Sequence, residues 1–241
     1  MTLVLMAAVW LGGSQAVTVA VGGGTISGRV RLAGTAPANA LIRMGVDPMC
    51  SRANAGKRVM QETVVADKDG GLANVFVRVT GTFPQTPVPS QPVVIDQLGC
   101  VYVPRVVGVR VGQALQVKNS DSLLHNVHSV SVRQNSFNVG QPVQGMTNDF
   151  RLKTEEVMLP IKCDVHRWMT TYVGVVSHPY FAVSARDGSF TIGDVPPGSY
   201  TLEVWHEHYG TLAQPLRVRA SAVTKADFSY TGNEKPARLT S

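Results

Sequence analysis

Lys162-Cys163-Asp164-Val165-His166-Arg167-Trp168-Met169 spaces a cysteine, a histidine and a methionine three residues apart in one short segment. A thiolate, an imidazole and a thioether are soft and borderline donors. Together they suit copper, which cycles between Cu(I) and Cu(II). A loop this compact can bring all three to one ion, and one more ligand must come from elsewhere. Leu124-His125-Asn126-Val127 offers it, 38 residues before Cys163 and just after the strand-like Leu115–Asn119. His125, Cys163 and His166 make a trigonal two-histidine, one-cysteine set, with Met169 as a long axial donor. Asn126 can supply polar contacts around such a site. His128 complicates the choice, because residues three apart on a straight strand point to opposite faces. By periodicity alone either His125 or His128 could be the ligand. Zinc fits the set less well, since a thioether is a poor fourth ligand for it.

The elements that must position these residues read as strands. Thr25–Leu32, Val75–Val79, Val107–Val111 and Tyr200–Trp205 alternate at period two with β-branched and aromatic residues. Gly70-Gly71, Pro84, Pro87, Pro89, Gly99, Gly112 and Pro196-Pro197-Gly198 punctuate them. No segment shows an apolar helical period beyond about three turns. The expectation is an all-β protein of sandwiches or barrels. The Pro-rich Phe83–Pro92 and the Ser177-His178-Pro179 stretch mark boundaries. The polar end of the chain, residues 227–241, is expected to be a flexible tail.

At 241 residues and 44% hydrophobic content the chain can form one or two domains with real cores. No apolar run approaches the ~20 residues of a spanning helix, which excludes a multi-pass helical membrane protein. The formal charge is +6, but Lys and Arg are scattered with no block of like charge, which argues against a nucleic-acid partner and for an acidic protein partner or an anionic membrane surface. Leu3–Leu11 is apolar and is followed by Ser14-Gln15-Ala16, which looks like a secretory signal peptide over residues 1–16. A periplasmic or secreted protein is therefore expected, touching a membrane only through an uncleaved N-terminus. In an oxidising compartment, three cysteines resolve into one thiolate ligand and one disulfide, Cys50 with Cys100. The competing reading is a second soft-metal site, using Cys50 or Cys100 with His128. His206 and His208, two apart, would share a strand face as a metal pair, although a plain polar face accounts for them as well.

The segment from about Pro92 to Pro179 resembles the cupredoxin family of blue copper proteins. The Cys-x2-His-x2-Met loop is similar to that of amicyanins, and the upstream His-Asn-Val to the first ligand region of plastocyanins. The resemblance implies a Greek-key β-sandwich over residues 90–179 holding one type 1 copper through His125, Cys163, His166 and Met169. It favours His125 over His128. Arg167 departs from the family pattern, in which a proline is usual there. The flanks resemble a second family, the carboxypeptidase regulatory-like (transthyretin-like) β-sandwich. Gly24–Val30 and Gly71–Val77 look like its first strands. Asp187-Gly188-Ser189-Phe190-Thr191-Ile192 and Val195–Leu202 look like its next hairpin. Residues 17–83 and 180–226 would then form one discontinuous sandwich with the copper domain inserted in it, the alternative being a single enlarged cupredoxin with extra strands at both ends.

The function these readings imply is single-electron transfer between redox partners, such as a cytochrome c or a periplasmic dehydrogenase. An apolar rim around His166, with Trp168 and Met169, would be the electron port. Copper storage or delivery is an alternative using the same ligands, and a non-redox interaction module is another. A copper enzyme would need an open coordination position, which Met169 fills. No nucleophile elbow, phosphate loop or zinc helix is present, so the chain is expected not to be an enzyme.

Overall fold

The computed structural model describes residues 22–234, so the signal segment expected over 1–16 lies outside the described residues. Two strands come first, β1 (Gly24–Leu32) and β2 (Phe76–Thr80). Nine follow: β3 (Val93–Gln97), β4 (Tyr102–Val103), β5 (Val106–Arg110), β6 (Ala114–Asn119), β7 (His125–Ser129), β8 (Asn138–Gln141), β9 (Thr147–Arg151), β10 (Glu156–Lys162) and β11 (Thr170–Val176). Six close the chain: β12 (Phe181–Val183), β13 (Ser189–Val195), β14 (Gly198–His206), β15 (Gly210–Val218), β16 (Val223–Lys225) and β17 (Phe228–Tyr230). One short helix, α1 (Pro48–Ala53), lies between β1 and β2. The protein is all-β, and the alternating stretches of the sequence are the strands they suggest. Among the described residues no helix is long and apolar enough to cross a membrane.

The sheets sort the strands into two sets. Strands β13, β1 and β16, with β17 also on β1, make one sheet, and β12-β2-β14-β15 makes another. Strands β5-β11-β10-β7-β8 and β4-β3-β6-β9 make the other two. The second set therefore runs without interruption between β2 and β12 of the first. Each set closes over its own apolar core: Ile26, Val30, Leu72, Val77, Leu202 and Tyr230 in one, Ile95, Leu115, Val127, Leu159, Ile161 and Val173 in the other.

Arg110, at the end of β5, ties together the two chain segments that cross between the sets. Its guanidinium donates to Thr86 Oγ1 (2.8 Å) and the Pro87 carbonyl (3.0 Å) on one crossing, and to the Ser177 carbonyl (2.7 Å) on the other. The sets also pack face to face. Gly108 and Gly174 pair across the parallel β5–β11 ladder. A Cβ on Gly174 would lie 2.3 Å from Phe76, and one on Gly108 would lie 2.2 Å from Phe181. Bare backbone at both positions is what lets these two rings lie on the sheet. Beside them Arg105 makes a forked ion pair with Glu207 (2.6 and 2.7 Å) and donates to the Thr170 carbonyl (3.0 Å).

Two boundary expectations are corrected. Residues 17–83 do not all belong with the flanking sheets: Ile42, Met44 and Cys50 are buried in the core of the β3–β11 set. The segment from Leu41 to Met60, closed by a bridge between those two residues, lies on that set as a strap. Nor is the chain flexible from residue 227. Phe228–Tyr230 pairs in parallel with β1, and Tyr230 is fully buried with its hydroxyl donating to the Gly210 carbonyl at 2.8 Å. Two aromatic rings on the same face of so short a strand bury enough apolar surface to hold it.

Candidate metal centre

His125 opens β7 and points into the core, while the segment from Cys163 to Met169 links β10 to β11. Backbone bonds close that loop: the Met169 amide donates to the His166 carbonyl (2.9 Å) and the Cys163 amide to the Met169 carbonyl (3.3 Å). The loop brings His166 back over Cys163. His125 Nδ1 and His166 Nδ1 are 3.0 Å apart, and Cys163 Sγ is 3.8 Å from His166 Nδ1. His125, Cys163 and His166 each offer a donor atom, all mutually within 4.8 Å. All three side chains are buried. Met169, 1% exposed, sits in the same core cluster as Cys163.

These separations suit a bound metal. Metal–nitrogen bonds of about 2.0 Å and a metal–thiolate bond of about 2.3 Å, opened to 120°, place their donors about 3.5 and 3.7 Å apart. The charges suit a cation as well. Burial pushes the Cys163 thiol up, but His125, the Asn126 amide and His166 outweigh it and bring the thiol down to about 7. Burial opposes charge on His125, yet Asp121 and Cys163 outweigh it and raise that imidazole to about 9. Nε2 of His125 lies against the Asp121 carboxylate, which leaves Nδ1 to face His166 and Cys163 at the cluster.

Asn126 takes the supporting place expected of it. Its amide N–H points at Cys163 Sγ (3.5 Å), and its side chain bonds the Asp164 amide and carboxylate just beyond the cysteine. Tyr102 steadies the same corner by donating to the Asn126 carbonyl at 2.6 Å. The Cys50–Cys100 disulfide is formed, across a separation of 50 residues, and Cys163 is the free cysteine.

His128 does not join the cluster. It lies on the opposite face of β7, with Nδ1 2.9 Å from the half-exposed Asp164 carboxylate. With both other cysteines bridged, the alternative soft-metal site using them and His128 has no thiolates. His206 and His208 form no metal pair either. His206 is fully buried against Tyr209 and Tyr230 and accepts the His208 amide at 3.2 Å.

The expected open apolar rim around His166 is also corrected. Its imidazole is 1% exposed, with Trp168 at 5.1 Å between ring centroids and Asp47 on the outer nitrogen. Two carboxylates of the site escaped the sequence reading. Asp121 accepts His125 Nε2–H at 2.9 Å, and Asp47 accepts His166 Nε2–H at 3.0 Å. Aspartates preceding His125 by four residues and Cys50 by three were the available signals. A cavity of about 570 Å³ opens beside the ligand loop, lined by Trp168, Met169, Tyr102, Arg58 and Arg105 among others.

Neither a protein-family model nor a curated protein matches the chain. Solved structures do. A purple cupredoxin from Nitrosopumilus maritimus is similar at 22% identity, over 34% of this chain and 98% of its own, with a TM-score of 0.31. A Cu(I) amicyanin variant is similar at 18% identity, over 41% of this chain and 97% of its own, with a TM-score of 0.32. A copper-containing nitrite reductase from Thermus scotoductus SA-01 is similar at 16% identity, over 41% of this chain and 25% of its own, with a TM-score of 0.31. The β3–β11 set, with parallel β3–β6 and β5–β11 pairs, is a β-sandwich that carries its donor residues on β7 and the β10–β11 loop.

Proposed function

We propose that the chain is an exported type 1 copper protein that carries single electrons between redox partners. The observation that carries this reading is the convergence of His125, Cys163 and His166 in a dry core, with Met169 on the same loop. When bound there, copper supplies a one-electron couple between Cu(I) and Cu(II). His125, Cys163 and His166 hold the donors, Asn126 directs an N–H at the thiolate, and the surrounding core excludes water. Fixed donors in a packed interior favour exchange of an electron over exchange of the ion. Storage or delivery would need exposed donors, whereas these are buried. A catalytic role would need an open coordination position, and the buried Met169 argues against one.

Leu98, Leu124 and Val165, which adjoin Gly99, His125 and His166 in the chain, are 45–54% exposed and offer apolar surface for a partner. We read that partner as a redox protein, a cytochrome c or a dehydrogenase of the same compartment, with export by the segment before residue 17. We read the flanking sheets as a carboxypeptidase regulatory-like sandwich that bears the copper domain as an insertion. In support, Asp187 accepts the Ser189 amide (3.0 Å) and hydroxyl (2.6 Å) in the turn before β13, where Gly188 has a φ of +79°.

Cu(II) titration of the full chain, followed by visible absorption and EPR, tests the reading. An intense thiolate-to-copper band with narrow hyperfine splitting is expected at one equivalent. It should be absent in Cys163→Ser and kept in His128→Ala. A colourless stoichiometric complex, or none, would overturn it.

A further inference from the structure

The strap reaches the metal centre at His166, through the Asp47 carboxylate and through the Cys50 sulfur, 3.5 Å from Nε2. Asp47 divides its carboxylate between two tasks. Oδ1 caps the strap's own helix α1, accepting the Met49 (2.7 Å) and Cys50 (3.1 Å) amides. Oδ2 accepts the outer N–H of His166 at 3.0 Å. Asp121 is its counterpart on the other histidine. It accepts the Gly99 (2.7 Å) and Cys100 (2.8 Å) amides as well as His125 Nε2–H. Each carboxylate therefore holds one ligand histidine and one half of the Cys50–Cys100 disulfide. The bridge joins the two carboxylate–histidine pairs into one frame. Asn54 locks the strap beside it, donating to the Cys50 and Gly99 carbonyls at 3.0 Å each.

We propose that Asp47 is a positioning residue for His166, brought from the strap to a site whose donors lie on β7 and the β10–β11 loop, and that it closes the outward edge of that imidazole. The disulfide is the fastener that keeps it there. This rests on the copper reading above for its consequences but not for its geometry. A carboxylate on the far nitrogen fixes which ring nitrogen carries the proton, leaving Nδ1 free to face Cys163, and it makes the ring a stronger donor. A stronger donor and an added negative charge both favour Cu(II) over Cu(I). With the imidazole edge shut, a redox partner meets the strap, where Val46 (83% exposed) and Met49 (40%) flank Asp47, and not His166 itself.

The test compares the full chain with Asp47→Asn, which keeps the shape and removes the charge, and with Cys50→Ser/Cys100→Ser, which keeps Asp47 but removes the bridge and the Cys50 sulfur beside His166. Losing a hydrogen-bonded partner of a metal-binding histidine lowers metal affinity by about 10–100-fold. That loss should fall mainly on Cu(II), and each tenfold difference between the two oxidation states reads as a rise of about 59 mV in potential. Copper release to a chelator should quicken in both variants. In the metal-free chain, 15N spectra should show His166 protonated at Nε2 in the wild type, with that protonation no longer fixed in Asp47→Asn. Wild-type potential, release rate and His166 spectrum in Asp47→Asn would overturn the proposal. If the wild type binds copper without a thiolate band, the electron-carrier reading falls. The His166 spectrum and the metal affinity still decide the role of Asp47.

Discussion

Opening the Cys50–Cys100 bridge should cost the fold about as much as its loop length dictates. The bridge closes a loop of 50 residues that contains β2 and β3, so it constrains the unfolded chain across both strand sets. The chain-entropy relation for that length gives about 4 kcal/mol at 25 °C. The native strap keeps other attachments once the bridge is gone. Ile42 and Met44 stay buried, the Ile42 amide donates to Val59 (2.9 Å), and Gln61 donates to the Trp168 carbonyl (3.2 Å). The loss should therefore appear as reduced stability of an otherwise native protein. Urea unfolding of Cys50→Ser/Cys100→Ser measures it, with Trp168 reporting beside the strap and Trp205 on the flanking sheet. For a slope of about 2–3 kcal/mol/M the midpoint should drop by roughly 1.3–2 M, with a slope that holds or rises as the unbridged chain exposes more surface. A loss below about 1 kcal/mol at unchanged slope would refute the reasoning, because the bridge would then be constraining little of the unfolded chain.

Other perturbations separate the forces that hold the two strand sets together. Gly174→Ala drives a methyl into Phe76 and should destabilise by about 1–3 kcal/mol, read as a lower urea midpoint. Arg105→Ala strands Glu207, whose side chain is 8% exposed, and should cost about 3–5 kcal/mol, while Arg105→Met/Glu207→Leu should recover much of it. A double variant no better than the single one would count against a stranded charge as the cause. Burial holds His206 down to about 3, well below the 6.5 of an unfolded histidine. Below pH 6.5 the unfolded chain takes up a proton that the native state refuses, so stability should fall as the pH drops from 6.5 towards 3. The total is roughly 5 kcal/mol, and His206→Phe should flatten that part of the difference curve.

What could be read from the sequence was local. Cys163, His166 and Met169 share one loop, so their spacing already brings them together, while strand parity only set His125 and His128 on opposite faces and the adjacent Asn126 with the family resemblance favoured His125. The cysteine pairing followed from having one thiol more than a bridge needs. Asp47 could not be read this way, because it lies 119 residues from His166 and only the folded strap brings them together. Asp121 was closer, but its carboxylate matters only because the turn at Gly99 and Cys100 presents two amides to it. The last strand was hidden for another reason. Phe228 and Tyr230 stand in a polar stretch too short for alternation to register, and it is the parallel edge of β1 that makes them a strand.

The site consequently has a different extent from the sandwich that carries its donors. A unit cut at residue 90 would retain His125, Cys163, His166, Met169, Asn126 and Asp121. It would lose Asp47, free Cys100 and uncover the core that Ile42 and Met44 seal. Cut also after residue 179, it would lose the rings packed on Gly108 and Gly174 and the carboxylate partner of Arg105, since Phe76, Phe181 and Glu207 all belong to the flanking set. The donors come from the inserted sandwich, while the flanks and strap supply what shields and orients them. The host carries part of the histidine's environment, and Arg110 holds both crossings where host and insert meet.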